Sequence, residues 1–187
     1  MIRKGKKMAD LMEIIRGRRS IRRYQEREVP DEILQKVLEA ARWAPSWANT
    51  QCWHFVVVRN PAVRQKIQAA VPSRNPSFLA VGNAPVLLVV CGRLKSSGYY
   101  NDSYPTKFGD WFMYDLGLAT QNLCLAAHDS GLGTVIVGLF DHDRVGEAIK
   151  LPPDHEVLVL IPLGYPDHAP SPPKRHEPQK FVHYDSF

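Results

Sequence analysis

The sequence predicts an α/β fold in which layers of helices pack on a central β-sheet. Two observations lead to this prediction. Short apolar runs at Val86–Cys91 and Val157–Leu163 are typical of buried strands. Elsewhere apolar residues recur at helical spacing, as in Ile33, Leu34, Val37, Leu38 and Ala41, so helices and strands alternate along the chain.

Each element has its own signal in the first half of the chain. Turn residues and prolines set the boundaries, and helical or continuous apolar patterns set the type. In order, we expect a helix over Ala9–Gly17, a helix opened by Pro30-Asp31-Glu32 and ended by Pro45, a strand over Trp53–Arg59 and a helix over Ala62–Val71.

The second half of the chain contains the longest predicted helix, Asp110–Ser130, which is apolar on most sides. The preceding segment, Gly92–Phe108, has no clear period and is long enough to be a functional flap. After the helix we expect a strand over Thr134–Leu139, a helix over Asp143–Lys150, the strand Val157–Leu163 and an extended Pro-rich tail from Tyr165.

Length and composition exclude several classes of protein. The 187 residues suit one domain, which we place at residues 9–187 after a basic extension at residues 1–8. A hydrophobic content of 44% is too high for a disordered chain, and no apolar run approaches the roughly 20 residues that cross a bilayer. Three widely spaced cysteines fit neither a metal site nor a disulfide framework, which favours the cytoplasm.

The positive charge is concentrated near the N-terminus. Residues 1–27 contain ten Lys/Arg and three Asp/Glu, so the rest of the chain carries two net negative charges of the total +5. A nucleic-acid binder usually spreads its cations along a face or groove. One short basic segment fits a compact anion better than a long polyanion.

The first motif is the arginine segment, Arg18-Arg19-Ser20-Ile21-Arg22-Arg23. Guanidinium groups match phosphate oxygens with paired donors, and Ser20 adds a neutral donor. The segment alone is equally consistent with a solvated basic stretch or a weak nucleic-acid patch. Lys174-Arg175-His176 in the tail could supply a second cationic wall, or be a solvated tail end.

Two further motifs offer polar groups to a flat ligand. The loop after Pro45 contains Asn49 and Gln51, whose amides carry both the donors and the acceptors that the polar edge of a heterocycle requires. The segment Gly131–Asp141 has glycines at both ends of a predicted strand, which permits close backbone approach. Taken singly, each could be an ordinary connection or a helix C-cap.

Five motifs follow one another along the chain: RRSIRRY, APSWANTQCWHF, HDSGLG, TVIVGLFD and VHYDSF. With these motifs in this order, the chain resembles the FMN-dependent nitroreductase family from about Leu11 onward. The resemblance implies a central mixed β-sheet sandwiched by helices and an intertwined homodimer with FMN at the subunit interface. It also implies which residues hold FMN: Arg18, Arg19, Ser20 and Arg22 at the phosphate and ring edges; Pro45, Ser46, Trp47, Asn49 and Gln51 from the other subunit; Val137 and Gly138 through backbone; and Lys174 and Arg175 closing the phosphate site.

The sequence departs from the family at two of these positions. Gly138 stands where many relatives carry a glutamate, and Trp47 stands where they carry a small residue, so Trp47 could narrow the substrate pocket. Asn75 is a loose candidate for an asparagine that some relatives place between the second and third motifs. The lid is expected to be short, around Tyr99, Tyr100 and Tyr104.

The function implied by the resemblance is transfer of reducing equivalents from NADH or NADPH through FMN to a small electron-poor acceptor, such as a nitroaromatic or a quinone. No side chain is expected to be an indispensable acid or base, because the cofactor carries the chemistry. His54, His128 and Asp141 are therefore expected to be structural. Two alternatives stay open: another flavin reaction, such as dehalogenation or flavin fragmentation, and a non-catalytic module that binds a polyanion.

Overall fold

A computed structural model describes residues 10–187. The basic extension expected at residues 1–8 lies outside this range. The described helices are α1 (Leu11–Gly17), α2 (Asp31–Arg42), α3 (Pro61–Gln68), α4 (Phe78–Asn83), α5 (Phe112–Asp129) and α6 (His142–Ile149). The strands are β1 (Trp53–Val58), β2 (Val86–Arg93), β3 (Gly133–Thr134) and β4 (His155–Gly164). Single 3₁₀ turns lie at Trp47–Asn49 and Pro178–Lys180.

The four strands form one sheet in the order β1-β2-β4-β3, and each neighbouring pair is antiparallel. An isolated parallel bridge between Ser20 and Thr134 extends the sheet beyond β3. Strand β2 is central and buried along Val86–Gly92, because both of its edges are paired and both of its faces are covered. This burial explains why β2 is a continuous apolar run without polar alternation.

Helices cover both faces of the sheet, as predicted. Val86, Leu88 and Val90 point into a core formed with α2 and α5. Leu87 and Val89 point to the opposite face, where α3, α4 and α6 pack. Alternate residues of a strand face opposite sides, so β2 contributes to both cores. The predicted α/β class and sheet sandwich are confirmed.

Helix α5 divides its surface between the core and the exterior. Leu116, Ala119 and Leu123 are fully buried against the sheet, whereas Met113 is 59% exposed on the other side. Gly117 is exposed, and a methyl group placed on it would meet no atom within 4 Å. The helix is thus apolar on a face that one chain alone does not cover.

Three predictions differ from the structure. The strand predicted at Thr134–Leu139 is wrong in extent: pairing stops at Thr134, and beyond it only Val137 bridges to Leu160. The residues between them curve away from the sheet edge, leaving Ile136 half exposed. Helix α4 was not predicted, because its six residues are too few to show a period. The long helix begins at Phe112 because Asp110 lies before it, where its carboxylate accepts the Phe112 N–H at 3.0 Å.

Candidate functional site

Four arginines surround one cavity at the end of α1. The cavity measures about 430 Å³ and is lined by Ile15, Arg16, Arg18, Arg19, Pro172, Pro173 and Arg175. Arg175 comes from the tail, as do the two prolines, and the other three arginines come from the N-terminal segment. Distant parts of the sequence therefore meet at this cavity. We call this the arginine pocket. Lys174 is exposed and does not line it.

Local backbone contacts hold Arg19 at the edge of the arginine pocket. Its guanidinium donates to the carbonyl oxygens of Arg16 at 2.5 Å and Arg18 at 2.9 Å. Arg19 is therefore partly used in closing the end of α1, where helix carbonyls lack partners. Arg18 and Arg175 line the cavity, and their side chains form no hydrogen bond within residues 10–187.

The arginine segment is fixed against the third motif. Ser20 forms the parallel bridge with Thr134, and the Ile21 N–H donates to the Thr134 carbonyl at 2.9 Å. A methyl group on Gly133 would lie 2.5 Å from Ile21, so only glycine permits this approach. The first and third motifs are thus adjacent within one chain.

Arg22 points away from the arginine pocket toward a small polar cluster. Its Nε donates to Ser77 Oγ at 3.1 Å. The Ser77 N–H donates to Asn75 Oδ1 at 2.8 Å, and Asn75 Nδ2 donates to the Leu139 carbonyl at 3.1 Å. Asn75 therefore lies beside the third motif, but both ends of its amide are engaged within the chain.

Val137 and Gly138 differ in what their backbone offers. The N–H and carbonyl of Val137 both pair with Leu160, at 2.9 Å each. Gly138 is exposed, with open space where a side chain would stand. Among the two residues, Gly138 is the one whose face is free for a flat ligand.

The loop of the second motif is held in a strained conformation. Ala48, Asn49 and Gln51 all have positive φ, at 45°, 58° and 49°. Such angles cost non-glycine residues energy and persist only where the surroundings enforce them. Ser46 helps to enforce them, because its Oγ accepts the Gln51 N–H at 2.9 Å. The side-chain amides of Asn49 and Gln51 lie 3.3 Å apart.

Two further cavities lie on either side of this loop. The amide pocket, of about 420 Å³, is lined by Arg42, Trp43, Ala44, Pro45, Asn49 and Gln51. The aromatic pocket, of about 360 Å³, is lined by Pro45, Ser46, Trp47, Trp111, Tyr114, Asp115 and Leu118. Neither shares a residue with the arginine pocket. The structure thus places the second motif on a different part of the chain surface from the first.

Trp47 is the centre of an aromatic cluster. Its ring lies 5.1 Å from that of Trp111 and 6.4 Å from that of Tyr100, centroid to centroid. Its indole N–H donates to the Tyr100 hydroxyl at 2.5 Å. Tyr99 and Tyr104, the other expected lid residues, pack on each other at 4.9 Å. The predicted flap is therefore attached to the second motif through Tyr100.

Sequence reasoning missed Asp115, a buried carboxylate on α5. It accepts the Trp47 N–H at 3.1 and 3.2 Å, the Ser97 hydroxyl at 2.7 Å and the Cys52 thiol at 3.7 Å. One acid therefore joins the second motif, the flap and the start of β1. Burial, and then the charge of Asp115, raises the pKa of Cys52 to about 12. The signal in the sequence that could have pointed to Asp115 is an acidic residue in the first turn of a largely apolar helix.

The titratable groups that we expected to be structural have structural partners. Asp141 caps α6 by accepting the Arg144 N–H at 3.1 Å. His54 packs edge-on against His155 at 4.5 Å, and burial followed by His155 lowers the pKa of His54. Burial, then Arg18 and Arg19, lowers the pKa of His128, which lies behind Gly17.

Comparison with known proteins identifies the family of this fold and motif arrangement. The sequence model of the nitroreductase family matches residues 15–165. The chain belongs to the nitroreductase family. The match spans the arginine segment, the second motif and the third motif, and so confirms the resemblance drawn from them. Members of this family are oxidoreductases.

Three relatives illustrate the range of proteins to which this nitroreductase is similar. A protein of Methanothermobacter thermautotrophicus, provisionally named NADH dehydrogenase/NAD(P)H nitroreductase, is 38% identical over 95% of this chain and 88% of its own. An FMN-dependent nitroreductase of Clostridium difficile superposes with a TM-score of 0.78 at 26% identity, over 95% of this chain and 99% of its own. The iodotyrosine deiodinase of Thermotoga neapolitana is 26% identical over 96% of this chain and 100% of its own.

Two features are absent from the part of the chain that the structure describes. Within residues 10–187 no three His, Cys, Asp or Glu side chains are grouped as a metal site would require. None of the described helices combines the length and apolar character needed to cross a bilayer.

Proposed function

We propose that this nitroreductase binds FMN and transfers reducing equivalents from NADH or NADPH to a small electron-poor acceptor. The observation that carries the proposal is the arginine pocket, because clustered cations suit a phosphate. Gly138 lies in the third motif, which the Ser20–Thr134 bridge joins to the arginine segment, and its open face suits the approach of a flat ring. The 38% identical relative named for NAD(P)H and the FMN-dependent structural relative support the same assignment.

The residues divide the work of holding the cofactor. Arg18 and Arg175 hold the phosphate, Arg19 contributes from the edge of the pocket, and Lys174 adds charge nearby. Ser20 lies next to them on the same extended segment. Gly138 presents its open face to the ring, with Val137 fixing its position through Leu160. Arg22 reaches the ring edge from the side of Ser77.

A second subunit completes this site in our proposal. Pro45, Ser46, Trp47, Asn49 and Gln51 surround cavities that share no residue with the arginine pocket of the same chain. Two copies related by symmetry bring one chain's second motif to the other's arginine pocket.

Exposed apolar surface supports such a homodimer. No residue of α1 is buried, and Leu11, Met12 and Ile15 are exposed beside α5. The tail from Ser171 to Phe187 is exposed throughout, with Phe181, Tyr184 and Phe187 on it. Exposed large apolar side chains in such numbers are typical of a surface that a partner covers. Buried, unpaired thiols at Cys52, Cys91 and Cys124 fit a reducing compartment, which we take to be the cytoplasm.

The protein contributes positioning and electrostatics. Bound FMN would supply the two-electron redox chemistry between NAD(P)H and the acceptor. Arginines and amides stabilise negative charge at the cofactor without transferring a proton. His54 packs on His155 and Asp141 caps α6, and we assign both residues structural roles and no part in proton transfer.

The experiment is to mix the purified, flavin-loaded protein with NADH or NADPH without oxygen and follow flavin absorbance. Rapid bleaching, followed by reoxidation by a nitroaromatic or a quinone, is expected. A protein that binds no FMN, or whose bound flavin neither donor reduces, contradicts the proposal. Tight DNA binding that falls steeply with salt would instead support a polyanion-binding module.

A second candidate reaction is reductive dehalogenation of an aromatic substrate. The observation in its favour is the relative named iodotyrosine deiodinase, which the chain matches along its whole length. Release of iodide from iodotyrosine by the dithionite-reduced protein, measured against nitroaromatic reduction, decides between the two.

A further inference from the structure

The aromatic pocket combines ring surfaces with a buried acid. Trp47, Trp111 and Tyr114 line it together, with ring centroids 5.1 Å apart for Trp47–Trp111 and 5.6 Å for Trp111–Tyr114. Asp115 also lines the pocket, although the residue is only 1% exposed. Ring faces attract cations, and they do so more strongly where water is excluded.

The charge of Asp115 has no counter-ion within residues 10–187. The ion pairs there join Arg42 to Glu39, Arg59 to Asp31 and His155 to Asp154. Asp115 is instead held by neutral donors, from Trp47, Ser97 and Cys52. Those donors occupy the carboxylate oxygens but add no positive charge beside them.

A carboxylate without a counter-ion attracts or repels a charged molecule that enters the cavity beside it. Coulomb interactions are several times stronger near or below a protein surface than in bulk water. A cationic ring in the aromatic pocket would be attracted both by Asp115 and by the faces of the indoles. A ring bearing a carboxylate could still stack on the indoles, but it would be repelled by Asp115 and would lack the attraction between a cation and the ring faces.

We propose that the aromatic pocket binds the ring of the electron acceptor, and that Asp115 makes it select cationic flat aromatic molecules over those carrying a carboxylate. This inference rests on the proposed function, since it assigns the acceptor of the same enzyme. Trp47 supplies the ring surface, and Asp115 supplies the sign of the charge that is preferred.

The test uses three probes that share one flat ring and differ in charge: benzamidinium, benzamide and benzoate. Each is titrated into oxidised, FMN-loaded protein, with affinity measured by calorimetry and by the flavin absorbance change. Benzamidinium is expected to bind at least tenfold more tightly than benzoate, with benzamide between them. Asp115→Asn, which keeps size and hydrogen-bonding oxygen, is expected to bring the cation and the anion within about threefold. Asp129→Asn, on the exposed end of the same helix, serves as the control.

A second pair of variants keeps the inference testable if Asp115→Asn does not fold. Trp47→Leu is expected to weaken binding of benzamidinium and benzamide at least fivefold. Phe108→Leu is its control, because Phe108 packs edge-on against Trp111 at 5.9 Å but does not line the pocket.

Two results overturn the inference while leaving the proposed function intact. One is a wild-type protein, loaded with flavin and reduced by NAD(P)H, that binds benzoate as tightly as benzamidinium or binds none of the probes. The other is a cation preference that survives Asp115→Asn unchanged in a folded protein. Absence of flavin binding is a different failure, and it refutes the proposed function itself.

Discussion

The arginine pocket and the loop around Trp47 are built on opposite principles. The arginine pocket has four cations around an open cavity, and the side chains of Arg18 and Arg175 donate no hydrogen bond within residues 10–187. The Trp47 loop is strained and closed, with its backbone held by Asp115 and Ser46. The difference teaches that, in the site we propose, one half is open to an external charge, whereas the other half is held rigid by contacts within the chain.

The sharpest test of the rigid half is Asp115→Ala. It leaves the partly buried Trp47 N–H and the buried Ser97 hydroxyl without their acceptor, and each such loss costs about 1–3 kcal/mol. We expect a decrease of about 3 kcal/mol in the free energy of unfolding, measured by urea denaturation. The exposed Asp129→Ala should change it by no more than about 0.5 kcal/mol. Equal effects of the two variants would contradict the role assigned to Asp115.

Variants of the arginine pocket should bind FMN more weakly, while their free energy of unfolding stays nearly constant. Arg18→Ala or Arg175→Ala removes a charge-assisted bond to the phosphate, worth about 1.5–3 kcal/mol, so the FMN Kd should rise at least tenfold. Arg22→Ala should have a smaller effect, since Arg22 is turned toward Ser77. Fluorescence titration of FMN measures this. The surface variant Arg144→Ala is the control, and an equal loss there would point to general electrostatics.

Strain in the Trp47 loop can be relieved directly. Ala48 has φ of 45°, which costs an L-residue about 1–2 kcal/mol that glycine avoids. Glycine also has more freedom to lose on folding, by roughly 0.5–1 kcal/mol. Ala48→Gly should therefore be neutral or stabilising by up to about 1 kcal/mol in thermal unfolding. A clearly destabilised variant would mean that the methyl group itself makes a needed contact.

The smallest expected effect is a dependence on pH at the back of the arginine pocket. The pKa of His128 is lowered in the folded protein by burial and by Arg18 and Arg19. Its contribution to stability is fully present above the unfolded pKa of about 6.5 and is lost as the pH falls toward the folded pKa. His128→Gln should flatten the pH profile of urea unfolding in that interval. Bound phosphate should raise this pKa, which a proton NMR titration would detect.

The sequence predicts elements well where burial alone determines them. Strand β2 and helix α5 show clear apolar patterns because the sheet and both cores enclose them. The third motif fails as a strand because its residues after Thr134 leave the sheet edge, which an apolar run does not reveal. Asp115 was missed because its meaning depends on Trp47 and Ser97, which only the folded chain brings beside it.

The thiol of Cys52 has an unusual chemical environment for an oxidoreductase. It follows Gln51 directly and touches Asp115, yet it is buried and its pKa is raised to about 12. Thiolates, not thiols, are attacked by peroxide and alkylating reagents, and at neutral pH almost none of Cys52 is ionised. Burial first, and then the acid that anchors Trp47, thus keep a neighbouring sulfur in the thiol form, which oxidants attack slowly.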